Sequence, residues 1–210
     1  MEKRTIFNQN VVNHLEQPLF LGAQTGVARY EEPKHPFIDL LTQKQLGFFW
    51  QPQEVSLQTD RLQYQAMSIN DQFIFTQNLK YQTLLDSVQG RAPAEAFIDL
   101  CSDQTLETWI ATWTWSETIH SRSYTHIMRN VYPDPTKEFD EIILTPAIMK
   151  RATEVTRYYD QLLEAKIKYQ TTPKSDPEYE SIKKDLMKWI YLTMISVNVL
   201  EAIRFYVSFA

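Results

Sequence analysis

The stretch that decides the fold is residues 103–131, DQTLETWIATWTWSETIHSRSYTHIMRNV. Eight of its positions follow the alternating spacing of four and three residues that keeps side chains on one face of a helix. These positions hold Leu106, Ile110, Trp113, Glu117, His120, Tyr124, Ile127 and Val131. Five of the eight are apolar, so this face is expected to point into a core. We therefore predict one long amphipathic helix within an all-α fold.

The centre of this apolar face is polar, because Glu117, His120 and Tyr124 occupy it. Burying such a group without a partner costs roughly 1–3 kcal/mol, so a compensating partner is expected. Glu117 and His120 are three residues apart, which puts an oxygen and a nitrogen ligand on one side of the helix, suited to iron or manganese. This Glu-x-x-His spacing occurs in carboxylate-bridged dimetal sites of helical bundles. A chance pairing without a metal remains the alternative.

Two other predicted helices each place an acid on an apolar face. Asp86 shares its face with Leu79 and Phe75. The second acid, Glu201, shares its face with Ile190, Met194, Val197 and Phe205. Taken alone, each acid is better explained by pairing with a buried arginine or by capping a neighbouring helix. Together with the Glu-x-x-His pair they predict four convergent metal ligands: Asp86, Glu117, His120 and Glu201. Tyr124, one turn beyond His120, is then either a residue that the metal oxidises or an ordinary core tyrosine.

The composition is that of an ordinary globular domain. Apolar residues make up 43% of the 210, charged residues 22%, and glycine only 4 positions, which argues against disorder and against a turn-rich β fold. The net charge of −5 lacks the basic excess of nucleic-acid-binding proteins, so no nucleic acid partner is expected. The single cysteine, Cys101, forms no internal disulfide and is expected to be a small buried side chain in a cytoplasmic protein.

Residues 1–35 are predicted to form an extended N-terminal arm, because prolines and glycines interrupt them without sustained periodicity. Residues 36–210 are predicted to form one helical domain. Its helices are expected at 36–49, 69–89, 94–100, 103–131, 146–169 and 177–210. The expected N-caps are Ser68, the pair Ser102 and Asp103, Thr145 and Asp176.

The last predicted helix stays apolar up to Ala210 without a closing glycine, proline or basic residue. We therefore expect the helical domain to be incomplete, with neighbours of this helix missing. From Trp189 to Ala210 the helix approaches the length of a membrane span, but Asn198, Glu201 and Arg204 interrupt its apolar run. A buried helix and no membrane contact are expected.

Three motifs resemble the small (beta) subunit of class I ribonucleotide reductases. They are LLDSVQGR at 84–91, SETIHSRSYTH at 116–126 and NVLEAIRFYVSFA at 198–210. Shorter matches occur in LEQPLFLG at 15–22, VARY at 27–30, FFWQPQEV at 48–55 and NLKYQ at 78–82. The resemblance covers nearly the whole chain except about 169–185. It implies a ferritin-like helical bundle that holds an oxo-bridged pair of iron ions, with manganese as a possible replacement.

The resemblance also implies roles for individual residues. Asp86, Glu117 and His120 would serve one iron and Glu201 the other, with Glu117 bridging both. Tyr124 would carry a stable tyrosyl radical. Phe205 and Phe209 would shield the radical, and Trp50 would relay electrons between the metal site and the surface.

The partner that the resemblance implies is a large catalytic subunit, which uses the radical to reduce ribonucleotides to deoxyribonucleotides. A homodimer of the small subunit is also implied. In the family, the second iron takes a further Glu and His from a helix that follows the equivalent of Ala210. We therefore expect a bundle truncated before its last ligand helix, and a segment that is inactive or metal-poor by itself.

Two alternatives remain at this stage. One is a ferritin-like oxidase or oxygenase, which would need no tyrosyl radical. The other is a non-enzymatic fragment that acts only by associating with other subunits.

Overall fold

The fold is all-α, as the sequence predicts. The computed structural model describes residue 9 and residues 11–209, with the backbone alone at 207 and 209. Throughout this part of the chain the regular structure is helical, and the one β-type pairing is an isolated bridge between Phe20 and Cys101. Cys101 is buried, as predicted.

Eight α-helices lie within residues 11–209: α1 (Pro36–Gly47), α2 (Asp60–Ala66), α3 (Ile69–Gln89), α4 (Ala92–Phe97), α5 (Gln104–Val131), α6 (Pro135–Ile142), α7 (Pro146–Thr171) and α8 (Tyr179–Val199). Single turns of 3-10 helix occur at His14–Glu16, Pro52–Glu54, Ile98–Leu100 and Tyr206–Phe209. A π-helical turn, Leu200–Arg204, follows α8 directly.

The helix starts agree with the predicted caps in two places. Ser68 accepts a hydrogen bond from the backbone N–H of Asp71, and Asp103 accepts one from Leu106. Thr145 precedes α7 without a side-chain cap, because its hydroxyl donates to the carbonyl of Glu141 instead. The prediction that Asp176 starts the last helix is wrong, since α8 begins at Tyr179.

Other differences from the predicted helices are local. The short helices α2 and α6 were not predicted, although Asp134 before Pro135 is a start signal like Thr145 before Pro146. The helix predicted at 94–100 begins at Ala92 and turns into a 3-10 helix at Ile98. The continuous helix predicted at 177–210 is wrong. It stops at Val199, and the π turn that follows puts the N–H of Phe205 on the carbonyl of Leu200, 2.9 Å away.

Helices α5 and α7 make the most extensive contacts with other helices. Helix α5 packs against α1 and α3, and α7 packs against α8. Their apolar side chains form two core clusters, one including Leu106 and Ile110 of α5 and the other including Met128 and Val131. The polar positions Glu117 and His120 fall between these two parts of α5.

One stretch, Tyr179–Arg204, is long and apolar enough to cross a membrane by length and composition, with a mean hydropathy of 1.4. Core helices of soluble proteins share this length and composition. The expectation of a buried helix holds for one face only. That face consists of Ile182, Leu186, Ile190, Thr193 and Val197. Met194 was expected on the buried face but is 41% exposed.

Candidate metal centre

Helices α3 and α5 bring Asp86, Glu117 and His120 together. One ligand atom from each residue lies within 4.8 Å of the other two. Nδ1 of His120 is 2.9 Å from Oε2 of Glu117 and 3.8 Å from Oδ2 of Asp86. Both carboxylates are buried, whereas 43% of the His120 side chain is exposed. The site is therefore a buried acidic pair with an imidazole at its accessible side.

Asp86 is the least satisfied member of this group. It is 2% exposed, and its Oδ1 atom has no hydrogen-bond partner. The pKa of its carboxyl is raised to about 7, chiefly by burial; the hydrogen bond with the Tyr124 hydroxyl lowers it and the charge of Glu117 raises it. A buried carboxylate oxygen without a partner is costly, and a bound cation is one way to compensate it.

Glu117 is held from two sides. Its Oε1 accepts a hydrogen bond of 2.8 Å from the indole N–H of Trp113, one turn earlier on α5. The hydrogen bond between Glu117 and His120 raises the pKa of the imidazole, and burial opposes that increase. Neither carboxylate oxygen of Glu117 is therefore left without a contact.

Glu201 lies in the π turn and is half-buried. Its Oε1 accepts a hydrogen bond of 3.0 Å from the side-chain amide of Gln89. Burial raises the pKa of the Glu201 carboxyl, and the charge of Glu117 adds to the effect. The charge of Glu201 raises the pKa of Asp86 and of His120. Glu201 does not belong, however, to the group of three residues whose ligand atoms lie within 4.8 Å of one another.

Tyr124 is partly buried beside this group. Burial and the charge of Asp86 raise the pKa of its phenol, so the ring stays protonated at neutral pH. Tyr124 packs against the second core cluster, to which Phe205 belongs with 3% exposure. The predicted role of Phe209 falls on a side chain outside the described part of the structure.

Trp50 is partly buried in the segment between α1 and the turn Pro52–Glu54. That turn packs against α5, the helix that carries Glu117 and His120. Among the described contacts, none joins the Trp50 ring to the acidic group, so its relay role stays a prediction.

Sequence reasoning missed three residues that contact the predicted ligands directly or through one other side chain. Trp113 was expected to be ordinary core, although its position four residues before Glu117 on the same face was a usable signal. Gln89 and Tyr159 were not singled out. Tyr159 donates a hydrogen bond of 2.8 Å to Oε1 of Gln89, a contact between α3 and α7 that no local spacing reveals.

The sequence profile of the family described as "Ribonucleotide reductase, small chain" matches residues 28–210. The chain belongs to this family. Its curated relatives include the ribonucleoside-diphosphate reductase subunit beta of Enterobacteria phage T4, 50% identical over 98% of this chain and 56% of the relative. The corresponding subunit of Haemophilus influenzae is 48% identical, with the same coverage. The chain thus spans about half the length of these ribonucleotide reductase subunits.

Two solved structures resemble the fold. The ribonucleotide reductase R2 subunit from Clostridium botulinum has a TM-score of 0.77 at 20% identity and covers 100% of this chain and 60% of its own. The dimanganese(II)-NrdF of Streptococcus sanguinis has a TM-score of 0.60 at 12% identity, over 86% of this chain and 85% of its own. These likenesses support the ferritin-like helical fold that the sequence predicts.

Proposed function

We propose that this chain contributes most of the metal centre of a ribonucleoside-diphosphate reductase small subunit, which generates and stores a radical on Tyr124. The observation that carries the proposal is the convergence of Asp86, Glu117 and His120 beside this tyrosine. The radical would serve a large catalytic subunit that reduces ribonucleotides to deoxyribonucleotides. The expected setting is a cytoplasmic homodimer of small subunits with no membrane or nucleic acid partner.

The donor set fits a dinuclear iron or manganese centre. Its atoms are carboxylate oxygens and an imidazole nitrogen, which suit these metals, and Oδ1 of Asp86 lacks the partner that a cation would supply. Asp86, Glu117 and His120 would hold the first ion, with Glu117 shared and Glu201 serving the second. When bound and exposed to O2, such a pair of ions supplies the oxidising power for a one-electron oxidation of a phenol.

The surrounding residues would control where that oxidation falls. Tyr124 keeps its proton until an electron leaves, because burial and the neighbouring negative charges disfavour the phenolate. Asp86 is the carboxylate that interacts with the Tyr124 hydroxyl, and it is therefore placed to take up that proton. The apolar cluster that contains Phe205 would exclude water from one side of the ring. Phe209 would add to this shield, and Trp50 would deliver electrons.

We also propose that residues 1–35 act as an arm on the helical domain at 36–210. The backbone N–H of Leu21 donates to the carbonyl of Leu100, and the hydroxyl of Ser102 donates to the carbonyl of Pro18. These bonds fasten the arm to the segment that leads into α5. The arm would thus support the helix that carries two of the proposed ligands.

The test compares the 210-residue chain with a full-length chimaera, in which this chain replaces the matched part of the phage relative. Each protein is loaded with Fe(II) without oxygen, exposed to O2 and studied by metal analysis and low-temperature electron paramagnetic resonance. We expect two ions and a tyrosyl radical in the chimaera, and less metal without a stable radical in the chain alone.

Tyr124→Phe should abolish the radical of the chimaera, and the matched control Tyr132→Phe should retain it. Tyr132 is a buried tyrosine that directly follows α5, and its hydroxyl is hydrogen-bonded to Thr76. A chimaera that binds metal and consumes O2 without any radical would favour an oxidase or oxygenase. A chimaera that binds no metal would leave only the subunit-association role.

A further inference from the structure

We propose that Gln89 is a positioning residue that holds the Glu201 carboxylate towards the candidate metal centre, and that Tyr159 fixes Gln89 in turn. This inference rests on the proposed function, in which Glu201 is a ligand. It assigns a task to two buried residues that belong to neither the acidic group nor the radical pocket.

The three side chains form a hydrogen-bonded chain across three helical elements. Gln89 is the last residue of α3, Tyr159 lies in α7, and Glu201 lies in the π turn after α8. The Tyr159 hydroxyl is 2.8 Å from Oε1 of Gln89, and Nε2 of Gln89 is 3.0 Å from Oε1 of Glu201. Gln89 is 0% exposed and Tyr159 3%, so the bond between them is shielded from bulk water.

The direction of these hydrogen bonds fixes the orientation of the Gln89 side-chain amide. The carbonyl oxygen of Gln89 can only accept, so the Tyr159 hydroxyl must donate to it. The NH2 group then faces Glu201, whose ionised carboxylate can only accept. If the Tyr159 hydroxyl were removed, the amide could rotate and turn its oxygen towards the carboxylate, where the two oxygens would repel each other.

Glu201 needs such support more than the other proposed ligands do. Asp86 and Glu117 are almost fully buried within long α-helices, and Trp113 already donates to Glu117. Glu201 instead sits half-buried in a turn with a wider backbone, where its long side chain has more freedom. Outer hydrogen bonds that orient metal-ligating carboxylates typically affect metal affinity about 10–100-fold.

The experiment measures Co(II) affinity of the full-length chimaera by equilibrium dialysis. Gln89→Leu keeps similar bulk but removes the amide, and we expect it to weaken binding by roughly tenfold or more. Tyr159→Phe should weaken binding less. Tyr158→Phe is the matched control, because its hydroxyl contacts Arg157 and not Gln89, and it should leave the affinity unchanged.

A double-variant cycle separates positioning from packing. In a Glu201→Gln background, Gln89→Leu should have no further effect on Co(II) affinity, because the carboxylate it orients is gone. An equal loss in both backgrounds would overturn the inference, since it would mean a general packing defect. An unchanged affinity in Gln89→Leu would overturn it as well.

A second readout needs no metal. In the metal-free chain labelled with 15N-glutamine, the side-chain amide signal of Gln89, assigned by its loss in Gln89→Leu, should exchange slowly with water and shift in Glu201→Gln. An unshifted signal would refute the contact. If Co(II) affinity is insensitive to Asp86→Asn and Glu117→Gln, the proposed metal function fails, and this signal still decides whether Gln89 holds Glu201.

Discussion

Nδ1 of His120 lies 2.9 Å from Oε2 of Glu117, one turn earlier on the same helix. The same nitrogen is 3.8 Å from Oδ2 of Asp86, so the imidazole stands between carboxylates from two helices. In the metal-free chain, the hydrogen bond with Glu117 raises the pKa of the imidazole and so favours its protonated form, whose charge offsets part of theirs. In the metal-bound protein, the ions would take over that task.

The first prediction is an unusual pH dependence of the metal-free chain. Asp86, His120 and Glu201 all have a raised pKa in the folded chain, so the folded state binds more protons than the unfolded state. The free energy of unfolding should therefore fall as pH rises, and for Asp86 this happens between 3.8 and about 7. We expect a loss of about 2 kcal/mol from this residue, roughly half of the full linkage value.

Urea unfolding at a series of pH values checks this prediction. Asp86→Asn cannot titrate, so its stability should vary less with pH than that of the wild type. Asp160→Asn, an exposed acid on α7, is the control and should keep the wild-type slope. If the unfolding free energy depends on pH equally in the wild type and in Asp86→Asn, the raised pKa of Asp86 is contradicted.

Added Mn(II) should stabilise the wild type most at high pH, because protons and metal compete for the same atoms.

The second prediction concerns the Trp113 indole, which donates a hydrogen bond to Glu117. Trp113→Phe removes the N–H that donates to Oε1 of Glu117 and should lower Mn(II) affinity about tenfold. Trp109→Phe is the matched control on the same helix, because Trp109 packs against the core and has no described bond to an acid. Calorimetric titration of both variants measures their Mn(II) affinities. Equal affinities would mean that the Trp113 indole does not contribute to metal binding.

The third prediction concerns a buried lysine, away from the site, that forms ion pairs with two acids. Nζ of Lys80 is 2.8 Å from Glu138 and 2.9 Å from Glu141, and its side chain is only 3% exposed. Lys80→Met should cost about 1–2 kcal/mol of unfolding free energy, because both acids lose their partner. Lys137→Met, whose side chain is 67% exposed, should cost less than about 0.5 kcal/mol. A urea titration in which both variants lose the same amount would contradict this account.

The fourth prediction concerns the π turn. Deleting the exposed residue Ala202 would let the chain between Leu200 and Phe205 close as an α-helical turn, with both buried side chains kept in place. We expect stability within about 1 kcal/mol of the wild type, since the α turn has the better backbone geometry. Mn(II) affinity should nevertheless fall, because Glu201 is re-aimed. Ala202→Ser, which keeps the chain length, is the control. An unchanged affinity in the deletion variant would mean that the π turn does not serve the site.

How much of this site could be predicted depends on how local each feature is. The apolar spacing along α5 predicts its length to within a residue, and the start signals at Ser68 and Asp103 are confirmed. The short helix α6 was missed although its start signal was present. Its eight residues give too few turns for the periodicity to stand out.

Sequence alone determined the features that lie within one helix. Glu117 and His120 share a face because three residues make nearly one turn, whatever surrounds them. Only the tertiary structure decided which groups meet across helices. The crossing of α3 and α5 brings Asp86 against His120, and α7 brings Tyr159 against Gln89. The π turn could not be predicted either. It adds one residue so that both Leu200 and Phe205 are buried, and that choice follows from packing against the core rather than from local spacing.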